Sequence, residues 1–72
     1  MDFAKKIKNE RKKLGITQQE LAERAGLSQR TIAAYEVKSV TARRKNIVKL
    51  AGALHVAVEY LVNEDNQEPI YR

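Results

Sequence analysis

Residues Gln18–Tyr35, QQELAERAGLSQRTIAAY, hold two short helical segments joined by the turn Ala25–Ser28. Immediately ahead of the first, Thr17-Gln18-Gln19-Glu20 is a capping box: the Thr hydroxyl and the Glu carboxylate satisfy backbone N–H groups left free at a helix start. That helix buries Leu21, Ala22 and Ala25 and stops at Gly26, which lacks a Cβ and takes the positive φ a tight turn demands. Ser28 caps the next helix, whose inward residues are Ile32 and Tyr35. Ala22 is small enough for the two helices to approach closely where they cross, and Leu21 and Ile32 fill the angle between them. A helix pair joined by such a Gly-containing turn is a helix-turn-helix unit.

Three further helical segments flank it. Asp2 is placed to cap the first, with Phe3, Ile7 and Leu14 on one face and Gly15 as a left-handed stop. Val37–Ala42 has no sustained period and reads as a loop. A fourth helix is expected from about Arg43 to Leu54, with Ile47, Val48, Leu50, Ala51 and Leu54 apolar and Gly52 costing about 1 kcal/mol relative to Ala. A short fifth covers Ala57–Val62. From Asn63 to Arg72 the chain is polar and acidic apart from Ile70 and Tyr71, and a mobile tail is expected there. The expectation is therefore an all-α, five-helix domain over residues 1–62 and a short tail over 63–72. No strand pattern, internal repeat or low-complexity block is present.

Seventy-two residues make one domain at most, and a chain this short buries only about 60% of its unfolded surface. There is no cysteine, so neither a disulfide nor a thiolate metal site supports the fold. No apolar run approaches the roughly 20 residues of a membrane span. The Lys-rich start has no apolar stretch of signal-peptide type. Charge is unevenly spread. Up to Lys49, 13 Lys/Arg stand against 5 Asp/Glu, a net of +8; from Leu50 onward the net is −3. A basic body with an acidic end is the outline of a polyanion binder, with a merely solvated basic surface as the plain alternative. No Ser/His/Asp or Cys/His set and no Gly-rich phosphate loop is present, so no enzymatic activity, cofactor or metal is expected. His55 reads as a helix-end residue near the negative end of the dipole.

The run Arg11-Lys12-Lys13-Leu14-Gly15-Ile16-Thr17-Gln18-Gln19-Glu20-Leu21-Ala22, then Ala25-Gly26-Leu27-Ser28, Thr31-Ile32, Tyr35-Glu36 and Leu50-Ala51-Gly52-Ala53-Leu54, resembles the phage repressor and Cro family of helix-turn-helix regulators, the Xre-like group. The resemblance extends from Ile7 to about Val62. It implies a lambda-repressor-like fold and a sequence-specific transcriptional regulator of double-stranded DNA, in the repressor sense, bacterial or phage and cytoplasmic. Such a protein binds a pseudo-palindromic operator as a homodimer, its recognition helix in the major groove. With Ile32 inward, Arg30, Ala34 and Val37 point most nearly outward, and Gln29 and Ala33 flank them.

The resemblance marks Gln29, Arg30, Ala33 and Ala34 as base readers. Gln29 suits adenine N6/N7 and Arg30 suits guanine O6/N7. For Ala33 and Ala34, thymine-methyl contact and plain helix propensity both stand as readings. Gln18, at a helix start, is expected on phosphate, as are Ser28, Lys38, Ser39, Thr41, Arg43 and Arg44. The group Lys5, Lys6, Lys8, Lys12 and Lys13 either adds to this surface or merely solubilises the outer face of the first helix. Arg11 shares the inward face of Ile7 and Leu14, where a charge needs a partner. The resemblance supplies Glu36, giving a structural ion pair. Val56, Val58, Tyr60 and Val62 cannot all face one core and are expected to offer a dimer surface, with burial of most of them within the monomer as the plain alternative.

The sequence departs from the family at several places. Lys38 and Ala42 stand where relatives often carry Gly and Pro, so the loop bends without its usual aids. Arg44 stands for a core Leu, His55 for Gly, and Ala57 for a capping Ser. The competing reading is a protein-interaction module or antitoxin of the same fold, with DNA binding secondary.

Overall fold

A computed structural model describes residues 3–37 and 42–62. The Asp2 cap, the loop residues Lys38, Ser39 and Thr41, and the segment 63–72 with Ile70 and Tyr71 lie outside the described residues. The described chain forms five helices: α1 (Phe3–Lys13), α2 (Gln18–Ala25), α3 (Gln29–Val37), α4 (Arg44–Leu54) and α5 (Val58–Val62). None of them is long and apolar enough to cross a membrane.

Local chemistry sets the helix ends. The capping box at α2 is complete: the Glu20 N–H donates to Thr17 Oγ1 at 3.0 Å, and the Thr17 N–H donates to Glu20 Oε1 at 3.0 Å. Gly26 closes α2 at φ 70°, and the Leu27 N–H returns to the Ala22 carbonyl at 2.9 Å. Ser28 Oγ accepts the Thr31 N–H at 3.1 Å and starts α3. α4 starts one residue later than its sequence pattern indicates, because Arg43 occupies the cap position without a side-chain cap bond. His55 ends α4 in the left-handed region at φ 60°, a geometry usually given to Gly.

Ile7, Leu21, Ile32, Leu50 and Leu54 are wholly buried where the helices meet. Tyr35 joins three elements: its ring meets Phe3 edge-on at 5.7 Å, and its hydroxyl accepts Asn46 Nδ2 at 2.9 Å.

Three expectations need correction. Leu14 is not core; α1 ends at Lys13, the chain turns at Gly15 (φ 69°), and Leu14 is left 40% exposed while Ile16 is buried instead. Lys6 does not belong to a solvated or anion-facing surface, because α5 packs over it. It is wholly buried, Nζ donates to the Tyr60 carbonyl at 2.7 Å, and Nζ sits 4.9 Å from the Tyr60 ring centroid. Glu10, also buried, accepts the Tyr60 hydroxyl at 3.3 Å and Lys13 Nζ at 3.2 Å. Val56 and Tyr60 are consequently core residues and offer no dimer surface. Of the four residues assigned to that surface, Val62 is 50% exposed and Val58 is half-buried.

Candidate nucleic-acid interface

Gln18 and Gln29 are the first residues of α2 and α3, so the crossing of the two helices brings their side chains together. Gln29 Nε2 donates to Gln18 Oε1 at 2.9 Å. Gln29 and Arg30 are both exposed on the first turn of α3. Ala33 and Ala34, a turn further along, are half-buried, and Val37 at the end of α3 is 78% exposed. The groups able to exchange hydrogen bonds with a base edge thus stand at the N-terminal end of α3, and small apolar groups continue the face.

Behind this surface lies an ion pair. Arg11 Nε donates to Glu36 Oε2 at 2.7 Å and Arg11 Nη2 donates to Glu36 Oε1 at 3.0 Å, a two-pronged contact of the strongest type. The Glu36 side chain is only 2% exposed and that of Arg11 13%. Arg11 Nη1 also donates to the Ile16 carbonyl at 2.8 Å, so one guanidinium ties α1 to α3 and to the segment before α2. Gln18 Nε2 donates to the same Glu36 Oε1 at 3.2 Å. Burial pushes the Glu36 carboxyl up, but the hydrogen bonds from Arg11 and Gln18, with the charges of Arg11 and Lys8, outweigh it and hold the carboxyl below its usual range. The Glu36 hydrogen bond raises Arg11 further above its ordinary value, against desolvation.

The remaining sequence-assigned residues are spread around this centre. Ser28 is exposed, with its hydroxyl engaged by the Thr31 N–H and within 2.8 Å of the Thr31 hydroxyl. Arg43 is exposed just before α4. Arg44 is exposed too, but it lines an open groove of about 350 Å³ shared with Val48, Val58 and Glu59, on the side where α4 meets α5. Lys38, Ser39 and Thr41 lie outside the described residues. Among the described residues no cluster of His, Cys, Asp or Glu side chains is arranged to hold a metal.

Sequence reasoning missed the double engagement of Gln18, which joins the buried pair to the exposed turn of α3. The available signal was its place: a Gln at the head of each helix of a crossing pair.

The fold has known counterparts. A family model described as helix-turn-helix matches residues 7–61. The chain is 27% identical over 70 residues to the uncharacterized HTH-type transcriptional regulator YqaE of Bacillus subtilis (strain 168), covering 97% of this chain but 60% of that protein's length. It is 38% identical over 64 residues to an uncharacterized HTH-type transcriptional regulator of Methanothermobacter thermautotrophicus, covering 82% of this chain and 90% of that protein. Among solved structures, the P22 c2 repressor in complex with synthetic operator 9T superposes with a TM-score of 0.83 at 29% identity, covering 90% of this chain and 98% of that one.

Proposed function

The chain belongs to the helix-turn-helix family, and we propose that it is a sequence-specific regulator of transcription, acting as a repressor, that reads the major groove of double-stranded DNA with the start of α3. The observation that carries this reading is the exposed first turn of α3, where Gln29 and Arg30 present base-reading groups on a strongly basic domain. The similarity to a repressor solved on its operator supports it. Ala33 and Ala34 continue the reading face. Gln18, Ser28 and Arg43 meet phosphates beside it, with Arg44, Lys38, Ser39 and Thr41 as further anchors. The role is non-enzymatic and belongs to the cytoplasm, where DNA is available.

The protein acts as a homodimer on a pseudo-palindromic operator. Val62 and Val58 of α5, joined by the 48%-exposed Val48 of α4, form the apolar contact.

A binding titration on mixed genomic duplexes at several salt concentrations tests the reading. Tight binding to a subset of fragments, weakening steeply with salt, is expected. Uniformly weak binding without preference at low salt contradicts it and transfers the assignment to a protein-interaction module.

A further inference from the structure

We propose that Glu36 is a positioning residue for base readout: through Gln18 it orients the Gln29 amide so that Gln29 accepts adenine and rejects guanine. The inference rests on the DNA-reading role proposed above and names how one base of the site is chosen.

An ionised carboxylate only accepts hydrogen bonds, whereas a Gln side chain has one oxygen and two N–H donors. Glu36 Oε1 already receives Arg11 Nη2 at 3.0 Å, and it receives Gln18 Nε2 at 3.2 Å. Gln18 must therefore turn its nitrogen toward Glu36 and its oxygen away. That oxygen takes an N–H from Gln29 at 2.9 Å. Turning over either amide would set oxygen against oxygen or leave donor against donor. The direction of the whole chain, Gln29 to Gln18 to Glu36, is fixed by the one group in it that has no proton.

The consequence lies at the exposed end. With one N–H committed to Gln18, Gln29 keeps its oxygen and a single N–H. Adenine offers a donor at N6 and an acceptor at N7, which match this pair. Guanine offers two acceptors, O6 and N7, and needs two donors. Freed from Gln18, Gln29 has both N–H groups available and loses the reason to discriminate.

Two arms test this with the full chain. In the DNA-free protein, the side-chain NH2 resonances of Gln29 are compared by NMR in wild type, Glu36→Gln and Gln18→Met. Both substitutions are expected to move them; unchanged Gln29 signals in both overturn the relay. On DNA, the base position read by Gln29 is located as the preference that Gln29→Ala abolishes. At that position, adenine over guanine is expected to be favoured about 10-fold or more in wild type and under about 3-fold in both variants, with the Arg30 position unaffected. Gln18→Met keeps the Arg11–Glu36 pair, so the relay stays testable if Glu36→Gln unfolds. An unchanged adenine preference in the folded variants overturns the proposal. A wild type with no base preference anywhere overturns the DNA-reading role itself, and the NMR arm, read without DNA, tells that failure from a failed relay.

Discussion

Replacing Glu36 by Ala is expected to cost about 3–5 kcal/mol of stability, toward the lower figure. The carboxylate is 2% exposed and receives two N–H groups of Arg11 at 2.7 and 3.0 Å. Its loss strands a guanidinium that cannot give up its proton and that retains, among the described residues, only the Ile16 carbonyl as a partner at 2.8 Å. Because the Arg11 side chain is 13% exposed, water recovers part of that loss, which sets the expectation near 3 rather than 5 kcal/mol. At about 0.05–0.15 kcal/mol per residue, a domain of this size holds roughly 4–11 kcal/mol in total. The substitution therefore removes roughly a quarter or more of the folding free energy. Urea unfolding followed by far-UV circular dichroism reads it directly: at a slope near 1 kcal/mol/M the midpoint falls by about 3 M with the slope unchanged. The double variant Arg11→Met with Glu36→Leu is the control. It removes both charges, so its loss is expected to be well below the sum of the two single losses. A Glu36→Ala cost under about 1 kcal/mol, the range of surface pairs, or simple additivity in the double variant, would refute the reasoning.

Other expected outcomes follow from the same structure. The Glu36 carboxyl is held below its ordinary value of 4.5, so its contribution is full above that value and is lost as pH falls through it toward the folded value. The wild-type urea midpoint should decline more steeply than that of Glu36→Gln below about pH 5; parallel declines would contradict this. Arg30→Ala should relax preference at one base position at a cost of about 1–3 kcal/mol, whereas Arg43→Ala should weaken all sequences alike and lower the salt slope by about 1, both read by fluorescence anisotropy. A changed base preference in Arg43→Ala would show that its role is misassigned. Lys6→Ala should lose about 2–4 kcal/mol, combining a charged hydrogen bond with lost stem packing, while Lys12→Ala stays within about 0.5 kcal/mol in the same unfolding assay. Equal small losses would put Lys6 in solvent.

The features legible from the sequence are those set by neighbours along the chain. The capping box at Thr17–Glu20, the Ser28 cap and the left-handed Gly26 each depend on residues within one helical turn, and each stands where the pattern puts it. The errors lie where distant segments meet. Lys6 and Glu10 are buried by Tyr60, 54 and 50 residues further along, and nothing near them in sequence announces α5. One signal was present: Glu10 falls on the stripe that runs from Phe3 through Ile7 to Leu14, so its burial was readable by period although its partner was not. The apolar run Val56, Val58, Tyr60 and Val62 cannot share one face, so the pattern points some of it outward without saying which. The core wraps around the start of α5 and takes two of them. At the candidate interface, the family resemblance marks the positions of Gln29 and Arg30 and their side-chain chemistry suits bases, while the hydrogen bond that ties Gln18, the partner of Gln29, to Glu36 spans 18 positions.

In vitro selection of duplexes from a random pool by the wild-type chain tests DNA reading by α3 most directly. The expected product is a two-fold symmetric site with half-sites about one helical turn apart, each containing an adenine step and a guanine step that Gln29→Ala and Arg30→Ala respectively release. A bound pool no different in sequence from the starting pool at low salt would contradict it.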